Sequence, residues 1–463
     1  MNTSNNEALS RRGFLSTSGK VAAVGALAGA AVPAVHAAED NTIQIALVGC
    51  GGRGTGAAAD ALSTNKGPTK LVALADVFES RVRGAFNHLQ KQFPKQFDVT
   101  KDRAFVGFDG YRKAMDCLRP GDVAIFASPP AFRWVHFAYA IQKGLHVFME
   151  KPVTVDGPTT RKLIELSKQA SQKNLKVGVG LMSRHSRALQ ELAQRIADGQ
   201  IGDIILMRGY RVHGPIGFFA STPKPAGISE LLHQVQRFHS FLWASGGCYS
   251  DFYIHIIDHC AWMKGAWPTK AFGLGGRHYR NAPDGTPYVD QNFDVYSVEY
   301  QFADNTTFIM DGRCISGCAD RYYSYAQGTK GLAIISAGGD CGLPSRIFKG
   351  PAPKSNNLLW ESKVPPGEGN PYQNEWNDLM EAIRQDKPYN EAERGAIASL
   401  VTSMGRMSAH TGQEITYEQI LNHEHEFAPG LDKLTDSSPA PLLPGPDGKY
   451  PVPQPGLKKN REY

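Results

Sequence analysis

The chain has 463 residues, of which 41% are hydrophobic and 20% are charged, and its formal net charge is +6. This composition is typical of a globular protein of two or three domains, and it excludes a disordered chain, a collagen and a coiled coil as descriptions of the whole. The charge is small for this length and the sequence has no dense Lys/Arg block, so nucleic acid is not an expected partner.

Residues 1–37 have the pattern of an export signal. Arg11 and Arg12 precede an apolar, Ala-rich run from Val21 to Val35, and small residues surround a predicted cleavage point after Ala37. The run is shorter than the ~20 apolar residues that a membrane-spanning helix needs. The segment predicts export by the twin-arginine machinery into the periplasm, with no stable membrane anchor after cleavage. A chance Arg pair before an Ala-rich helix is the alternative.

The twin-arginine route carries proteins that are already folded, which affects what we expect of cofactors and cysteines. Free nicotinamide nucleotide is scarce outside the cytoplasm, so an exported enzyme that uses it has to bring it along. Folding in the reducing cytoplasm also argues against a disulfide framework for the seven cysteines, which we expect to be mostly buried thiols.

Residues 42–181 alternate between short apolar strands and helices. Strands are predicted at Ile43–Val48, Leu71–Ala75, Val123–Ala127, His146–Met149 and Lys176–Leu181. Helices are predicted between them at Ala57–Leu62, Trp134–Lys143 and 158–172. This alternation indicates an α/β domain with a parallel, doubly wound sheet.

Residues 182–425 contain more strands and fewer helices. After a predicted helix at Ala188–Asp198, strands are predicted at Ile204–Tyr210, Ala271–Gly275, Asp294–Phe302 and Thr306–Arg313. Two amphipathic helices are predicted to follow, at Asn374–Gln385 and Glu393–His410. The pattern predicts a second α/β domain with an open, mostly antiparallel sheet. Residues 426–463 are rich in Pro and predict an extended tail that wraps a partner subunit or stays mobile.

A glycine-rich turn, Gly49-Cys50-Gly51-Gly52-Arg53-Gly54, follows the first predicted strand and fits the pattern G-x-G-x-x-G. Glycines at this place let the backbone approach a pyrophosphate, whose charge meets the N-terminus of the next helix. We therefore predict a Rossmann domain that binds NAD(P). Its first cofactor contacts are Gly49, Gly51, Gly52, Arg53 and Gly54. A Gly-rich turn in an unrelated α/β protein is the alternative.

Asp76 ends the second predicted strand and favours NAD over NADP. A carboxylate there accepts hydrogen bonds from the adenosine ribose and repels a 2′-phosphate. Arg53 and Arg81 keep NADP open, because either could reach such a phosphate. Three further residues at strand ends are predicted to contact the cofactor: Ser128, Glu150 and Lys151.

Two segments indicate catalysis as well as nucleotide binding. Glu150-Lys151-Pro152 follows a parallel strand, at the edge of the sheet where ligands bind. Asp251, His255 and Asp258 fall at i, i+4 and i+7 and share one face if their stretch is helical. A His can take the hydroxyl proton of an alcohol, a carboxylate can orient that His, and a Lys can stabilise the charge that develops on the oxygen.

Together these motifs resemble the glucose–fructose oxidoreductase / inositol dehydrogenase / MocA (Gfo/Idh/MocA) family, in its exported type, from about residue 43 to residue 420. The resemblance implies a Rossmann domain followed by an α/β domain whose open sheet often makes the subunit contact, and hence a homodimer or homotetramer. It implies that Lys151 is the catalytic lysine and that Asp251 and His255 act with it, His255 as the acid/base. It also implies that Asp258 touches the substrate.

Two features depart from the family pattern or add to it. Segment 208–243 is long and rich in aromatic and basic residues, and it resembles an insertion of exported members. Aromatic faces suit sugar rings, so the segment is a candidate wall of a saccharide site, and a covering loop with buried aromatics is the alternative. Arg184 and His185 follow the last strand of the Rossmann domain and are predicted to face the cleft and bind substrate.

The leading functional hypothesis is a periplasmic NAD(P)-dependent oxidoreductase that oxidises a secondary alcohol of a sugar, glycoside or polyol. The alternative is an NAD-dependent glycoside hydrolase, in which hydride leaves C3, a base near C2 drives elimination of the aglycone, and hydride then returns. Candidate bases for that reaction are Tyr249, Tyr253 and His255.

A non-catalytic sugar or nucleotide sensor is a third hypothesis, and the presence of Lys151, Asp251 and His255 argues against it. A metal site is weighed because His255, Asp258 and His259 have ligand-like spacing. We predict no metal, since no other motif completes a coordination shell.

Overall fold

The computed structural model describes residues 41–278 and 281–463. The predicted export signal, residues 1–37, lies outside these described residues. Within them, no helix combines the length and the apolar character that crossing a membrane requires.

The first sheet has six strands, all parallel. They are β1 (Ile43–Val48), β2 (Thr69–Asp76), β3 (Ala104–Val106), β4 (Val123–Phe126), β5 (His146–Met149) and β6 (Val177–Val179). Their order across the sheet is β3-β2-β1-β4-β5-β6. Most successive residues within β1, β2 and β4 are apolar, because helices cover both faces of the sheet. The strand order reverses between β1 and β4, and ligands of such sheets bind at the carboxyl ends of the strands at this point.

The helices of this domain connect successive strands. They are α1 (Gly52–Leu62), α2 (Glu79–Gln92), α3 (Gly110–Asp116), α4 (Arg133–Lys143) and α5 (Gly157–Gln172). Helix α1 begins at Gly52, within the glycine turn that follows β1, so its N-terminus faces the switch point. The predicted parallel α/β domain is confirmed.

The second sheet has nine strands. They are β7 (Ile204–His213), β8 (Lys270–Gly276), β9 (Val295–Gln301), β10 (Thr307–Cys314), β11 (Arg321–Gly328), β12 (Gly331–Ser336), β13 (Arg346–Lys349), β14 (Leu358–Glu361) and β15 (Ile415–Thr416). Their order is β14-β13-β12-β11-β7-β10-β9-β8-β15. Neighbouring strands run antiparallel except for β10 and β7, which are parallel. The predicted open, mostly antiparallel sheet is therefore confirmed.

The other helices follow β6 in the chain. They are α6 (Arg187–Ala197), α7 (Glu230–Gln236), α8 (Leu242–Ser245), α9 (Gly247–Lys264), α10 (Pro371–Arg384), α11 (Ala392–Thr411) and α12 (Tyr417–Leu421). Helix α9 packs on the inner face of the second sheet, where its Tyr249, Tyr253 and Ile256 share a core with Tyr300 and Phe308. It is buried along nearly its whole length, which fixes the direction of its polar side chains.

The tail at residues 426–463 packs against its own chain, which the expectation of a mobile segment did not include. The predicted contact with a partner subunit stays a prediction. Glu462 is fully buried and accepts hydrogen bonds from Arg406 Nε at 2.9 Å and from His410 Nδ1 at 2.6 Å. The ring of Tyr450 packs edge-on against Phe241. Pro-rich composition predicted the lack of regular structure, but it did not indicate that these side chains have partners inside the fold.

Candidate active site

A cleft of about 1050 Å³ opens at the carboxyl ends of the first sheet. Its walls come from the loops after β1, β2, β4 and β5, from helix α9, from segment 208–243 and from the tail near Leu431. Every predicted cofactor contact lines it: Gly49, Gly51, Gly52, Arg53, Gly54, Asp76, Ser128, Glu150 and Lys151. The predicted catalytic residues Lys151, Asp251 and His255 line the same cleft.

The glycine turn forms a cradle for a ligand. Gly49 has φ +99°, and a Cβ there would lie 2.4 Å from the backbone of Ala127 and Ser128. A Cβ at Gly54 would lie 1.9 Å from the carbonyl oxygen of Gly49. Gly51 and Gly52 have no other atom within 4 Å of the Cβ position, so their backbone is open to the cleft. A close backbone approach to a pyrophosphate at the start of α1 therefore fits this turn.

Asp76 faces the cleft while its carboxylate is already held by the backbone. Its Oδ2 accepts a hydrogen bond from the N–H of Cys50 at 2.8 Å, and its Oδ1 accepts one from the N–H of Phe78 at 3.0 Å. Burial raises the pKa of Asp76, and the nearby Arg81 opposes this effect. The backbone N–H of Val77 also bonds to this carboxylate. Since a carboxylate has about four acceptor positions, one remains for a ribose hydroxyl.

Arg53 is engaged by carboxylates although its side chain is 38% exposed. Its Nε donates to Glu150 Oε1 at 2.6 Å, and its Nη2 lies 3.6 Å from Asp60 and 3.8 Å from Glu375. Its guanidinium also stacks on Tyr372. Arg53 therefore neutralises Glu150 at the cleft. Arg81 is the cation near Asp76.

Arg133 is a cleft residue that the sequence analysis missed. It is almost completely buried, its Nε donates to the carbonyl of Glu150 at 2.9 Å, and its Nη1 donates to Ser128 Oγ at 3.0 Å. It thus ties the end of β4 to the end of β5. Its position at the start of helix α4, after two prolines, carried no motif that indicated this role.

Lys151 and Asp251 meet at the centre of the cleft. Lys151 Nζ donates to the backbone carbonyl of Asp251 at 2.5 Å and lies 3.6 Å from its Oδ1. His239, from segment 208–243, bonds to Asp251 Oδ2 through its Nε2 at 3.0 Å. Burial alone would raise the pKa of Asp251, but Lys151 and His239 hold it below its ordinary value. The carboxylate is therefore ionised at neutral pH.

His255 lies one turn after Asp251 on α9, as the predicted spacing requires. It is 6% exposed, and its Nδ1 is buried without a hydrogen-bond partner. Burial, with Lys151 and Arg211 nearby, lowers the pKa of His255 to about 3. The imidazole is neutral at ordinary pH, which is the state that a proton acceptor needs.

Asp340 is a second missed carboxylate, and it lies near His255. Its Oδ1 accepts hydrogen bonds from Arg211 at 3.1 Å and from the hydroxyl of Tyr322. Burial would raise the pKa of Asp340, but His255 and Arg211 lower it. It follows β12 in a turn with two glycines, and no sequence pattern linked this turn to the cleft.

Arg184, His185 and Asp258 do not face the cleft, so that expectation is wrong. Arg184 and Asp258 form a pair of 2.8 Å hydrogen bonds with each other. His185 lies between Asp378, at 2.7 Å, and Glu391, at 3.4 Å. None of the three lines the cleft. Each of the three side chains pairs with an oppositely charged group outside the cleft lining. This placement does not support their predicted contact with substrate.

Two of the three bases suggested for an elimination reaction are also distant from the cleft. The hydroxyl of Tyr249 forms a hydrogen bond with that of Tyr300, and the hydroxyl of Tyr253 forms one with Cys314 Sγ. Both tyrosines are fully buried. Only His255 of the three lines the cleft within the described residues. His259 is one of the three residues with metal-ligand spacing. Its Nε2 forms a hydrogen bond with Ser324 Oγ at 2.7 Å.

Segment 208–243 forms one wall of the cleft, as one of its two interpretations proposed. Arg211, Ile216, Phe218, Phe238 and His239 all line it. Other aromatic residues of the segment, such as Phe241 and Trp243, are buried. The segment is therefore both a wall and a packed cover.

Comparison with known proteins gives a consistent result. A family model described as "Oxidoreductase family, NAD-binding Rossmann fold" matches residues 43–181, which confirms the prediction of NAD binding. The scyllo-inositol 2-dehydrogenase (NAD(+)) of Bacillus subtilis is 26% identical over 263 residues, which are 55% of this chain and 62% of that protein. The inositol 2-dehydrogenase of Corynebacterium glutamicum strain R is 25% identical over 96 residues, 21% of this chain and 28% of that protein. The chain thus matches less than two thirds of the length of these curated relatives.

Solved structures share the fold over most of the chain. Myo-inositol 2-dehydrogenase from Lactobacillus plantarum has a TM-score of 0.57 at 19% identity, over 81% of this chain and 99% of that chain. Levoglucosan dehydrogenase, solved with NADH and levoglucosan, has a TM-score of 0.61 at 16% identity with the same coverage. Scyllo-inositol dehydrogenase from Lactobacillus casei, with bound NAD(H) and scyllo-inositol, has a TM-score of 0.57 at 21% identity with the same coverage. At these identities the likeness establishes the two-domain fold.

Proposed function

We propose that this chain is an oxidoreductase of the Gfo/Idh/MocA type, which the match of residues 43–181 to the family model supports. It transfers hydride between a secondary alcohol of a saccharide or polyol and tightly bound NAD. One observation carries the proposal. The glycine cradle and Asp76 share a single cleft with Lys151, Asp251 and His255.

The cofactor would be held by the glycine turn, with its pyrophosphate at the start of α1 and its ribose at Asp76. Bound NAD supplies the hydride acceptor. The open Cβ positions of Gly51 and Gly52 and the carboxylate of Asp76 in the cleft fit this group.

The chain's own residues handle the proton of the alcohol. The ammonium of Lys151 donates to the substrate oxygen and stabilises the negative charge that develops there. His255, neutral because its pKa is low, accepts the hydroxyl proton. Asp251 and Asp340 lie close enough to raise the pKa of His255, so they stabilise the imidazolium that forms.

The substrate class is supported by the cleft wall and by the relatives. Phe218 and Phe238 present aromatic rings to the cleft, and such faces pack on the apolar side of sugar rings. The relatives named above are dehydrogenases of inositols and of levoglucosan, which are cyclic polyols or sugars. A cyclic polyol or a saccharide is therefore the expected substrate.

The location and assembly of the protein are part of the same proposal. Arg11 and Arg12 before the apolar run support twin-arginine export into the periplasm. The exposed outer side chains of β8, Phe272 and Leu274, support a homodimer or homotetramer through the second sheet.

A glycoside hydrolase that uses transient C3 oxidation is the second candidate. The observation that favours it is Asp340, a further carboxylate of the cleft beside His255. An ionised carboxylate there is a candidate base for the carbon-bound proton next to an oxidised carbon.

The test is a single-turnover experiment with the purified holoprotein, without added nucleotide, against a panel of polyols, free sugars and aryl glycosides. The proposal expects reduced nicotinamide absorbance to appear in stoichiometric amount together with a keto product. Release of aglycone without net reduced cofactor would favour the hydrolase. Absence of both products with every compound would overturn the proposed function, and Lys151→Met is the inactive control.

A further inference from the structure

His239 is a cleft residue that comes from segment 208–243, on a single turn of 3₁₀ helix at Phe238–Ser240. We propose that His239 is the positioning residue of the catalytic carboxylate Asp251, and that it links this carboxylate to the substrate-facing loop at Gly217–Phe218. This inference rests on the proposed function, because it concerns how the Lys151–Asp251 pair is held for hydride transfer.

Both ring nitrogens of His239 have partners of defined type. The backbone N–H of Phe218 donates to Nδ1 at 3.1 Å, so Nδ1 acts as an acceptor. Nε2 lies 3.0 Å from Asp251 Oδ2, and a carboxylate can only accept. The ring is therefore the neutral tautomer with its proton on Nε2, and the amide of Phe218 selects that tautomer.

The ring has little freedom to leave this position. Phe238 packs 3.9 Å from its centroid, Phe252 5.2 Å and Phe218 5.9 Å. Gly217 has φ +55°, and a Cβ there would lie 2.8 Å from the imidazole. The close approach of the loop to the ring thus depends on a glycine at this position.

The side-chain amide of Asn292 holds the backbone at Phe219 and at His239. Asn292 Nδ2 donates to the carbonyl of Phe219 at 2.8 Å and to that of His239 at 2.9 Å. Asn292 is completely buried. The loop and the histidine turn are therefore tied together from behind, and their spacing does not depend on solvent.

The carboxylate of Asp251 depends on His239 because few charged or titratable groups surround that carboxylate. The charged or titratable groups around its carboxylate are Lys151, His239, His255 and Arg133. His239 is the one that bonds to Oδ2, while Lys151 lies beside Oδ1. Loss of the His239 donor would leave a buried carboxylate oxygen without its partner, which destabilises the ionised form.

The link to Gly217–Phe218 gives the loop an influence on the chemistry. Ile216, Gly217 and Phe218 line the cleft, so a sugar bound against them contacts the segment whose amide fixes His239. A substrate that displaces the loop would disturb the bond to Asp251 as well. The loop therefore affects turnover as well as binding.

The experiment compares His239→Phe, which keeps a ring but removes the donor, with His239→Gln, which keeps a neutral donor. The control is His233→Phe, a buried histidine of the same segment that does not line the cleft. For His239→Phe we expect kcat to fall about 10- to 100-fold, the factor of a lost hydrogen bond to a charged group. The amount of bound NAD should stay unchanged.

His239→Gln should restore most of kcat, and His233→Phe should match the wild type. A His239→Phe variant with kcat near that of the wild type would overturn the inference, and so would a His239→Gln variant as impaired as His239→Phe. A purely structural role would lower the melting temperature of both His239 variants without rescue of kcat by the glutamine donor.

A substrate-free measurement separates this inference from the proposed function. Nitrogen NMR of ¹⁵N-histidine-labelled protein, assigned by the signal lost in His239→Gln, should show an unprotonated Nδ1 and a protonated Nε2 at neutral pH. A proton on Nδ1 would overturn the positioning role even if hydride transfer is observed. The expected tautomer with no hydride transfer on any saccharide would refute the proposed function and leave the contact intact.

Discussion

The first prediction concerns Lys151, whose ammonium lies 3.6 Å from Oδ1 of the catalytic carboxylate Asp251. Lys151→Met removes the group that stabilises charge on the substrate oxygen. We expect kcat to fall roughly 100- to 1,000-fold with little change in bound NAD, measured by single-turnover reduction and by nucleotide content. Lys162→Met, which removes a surface partner of Glu426, is the control. Activity of Lys151→Met within a few-fold of the wild type would contradict the catalytic assignment.

Asp76 has a prediction for cofactor choice. Asp76→Ser removes the carboxylate that accepts ribose hydrogen bonds and repels a 2′-phosphate. We expect NAD to bind about 10-fold more weakly and NADP to bind more tightly, as measured by titration of the nucleotide-free protein. Asp98→Ser, at an exposed ion pair with Lys70, should change neither. Unaltered discrimination in Asp76→Ser would show that Arg81 or another group reads the ribose.

Some residue assignments followed from the sequence and others did not, for a physical reason. Lys151 lies at a strand end and Asp251 and His255 share a helix face, and it was the resemblance to a known family that predicted that the three act together. Asp258 shares that face, but its position says nothing about Arg184, which reaches it and pairs with it. Arg133 and Asp340 are brought to the cleft by tertiary packing alone, and neither has a motif.

At the scale of elements, buried strands were predictable and amphipathic or polar elements were less so. Strand β4 is apolar throughout and β1 is apolar except for Gln44, because both lie inside a parallel sheet. Helix α2 was missed because only Val82, Ala85 and Leu89 are buried along its 14 residues. Strand β11 escaped prediction because its buried positions are the small Ser324, Ala326 and Gly328, while its tyrosines are less buried. Strand β12 shows no alternation, since five of its six residues are buried.

The tail supplies a prediction at the same scale. Arg406 and Glu462 are buried, with side chains 1% and 3% exposed, and bond to each other. Glu462→Ala would leave the Arg406 charge without its carboxylate, so we expect a loss of about 3–5 kcal/mol in the free energy of unfolding, measured by denaturant titration. Glu424→Ala, at an exposed position, should cost less than about 0.5 kcal/mol. An equal effect of the two changes would mean that the tail contributes little to the fold.

The stability of the whole molecule should fall at alkaline pH because of His185. Burial alone would lower its pKa, but Glu391 and Asp378 raise it to about 9, against about 6.5 in the unfolded chain. A raised pKa stabilises the fold fully below pH ~6.5, and this contribution is lost as the pH rises through 9. It amounts to roughly 3 kcal/mol.

His185→Gln should therefore flatten the decline in the free energy of unfolding between pH 6.5 and 9, relative to the wild type and to the exposed-site variant His88→Gln. Unfolding titrations across this range provide the measurement. An alkaline decline of the same slope in His185→Gln would show that the histidine is not charged in the folded protein.

Assembly is a property of the whole molecule that the second sheet should control. Phe272 and Leu274 are 51% and 61% exposed on one face of β8. Leu274→Asp should convert a dimer or tetramer into smaller species in light scattering, because burying a carboxylate at an apolar contact is costly. Leu457→Asp, an 82% exposed leucine of the tail, is the matched control. An unchanged mass for Leu274→Asp would place the subunit contact elsewhere.

The measurement that tests the central claim most directly is the identity of the nucleotide that the purified protein carries. The protein is purified and denatured, and its released small molecules are quantified by mass spectrometry. The account predicts NAD(H) at close to one equivalent per chain, held in the cleft between the glycine turn and Lys151. Recovery of NADP(H) would contradict the role of Asp76, and an empty protein would contradict a cofactor carried through export.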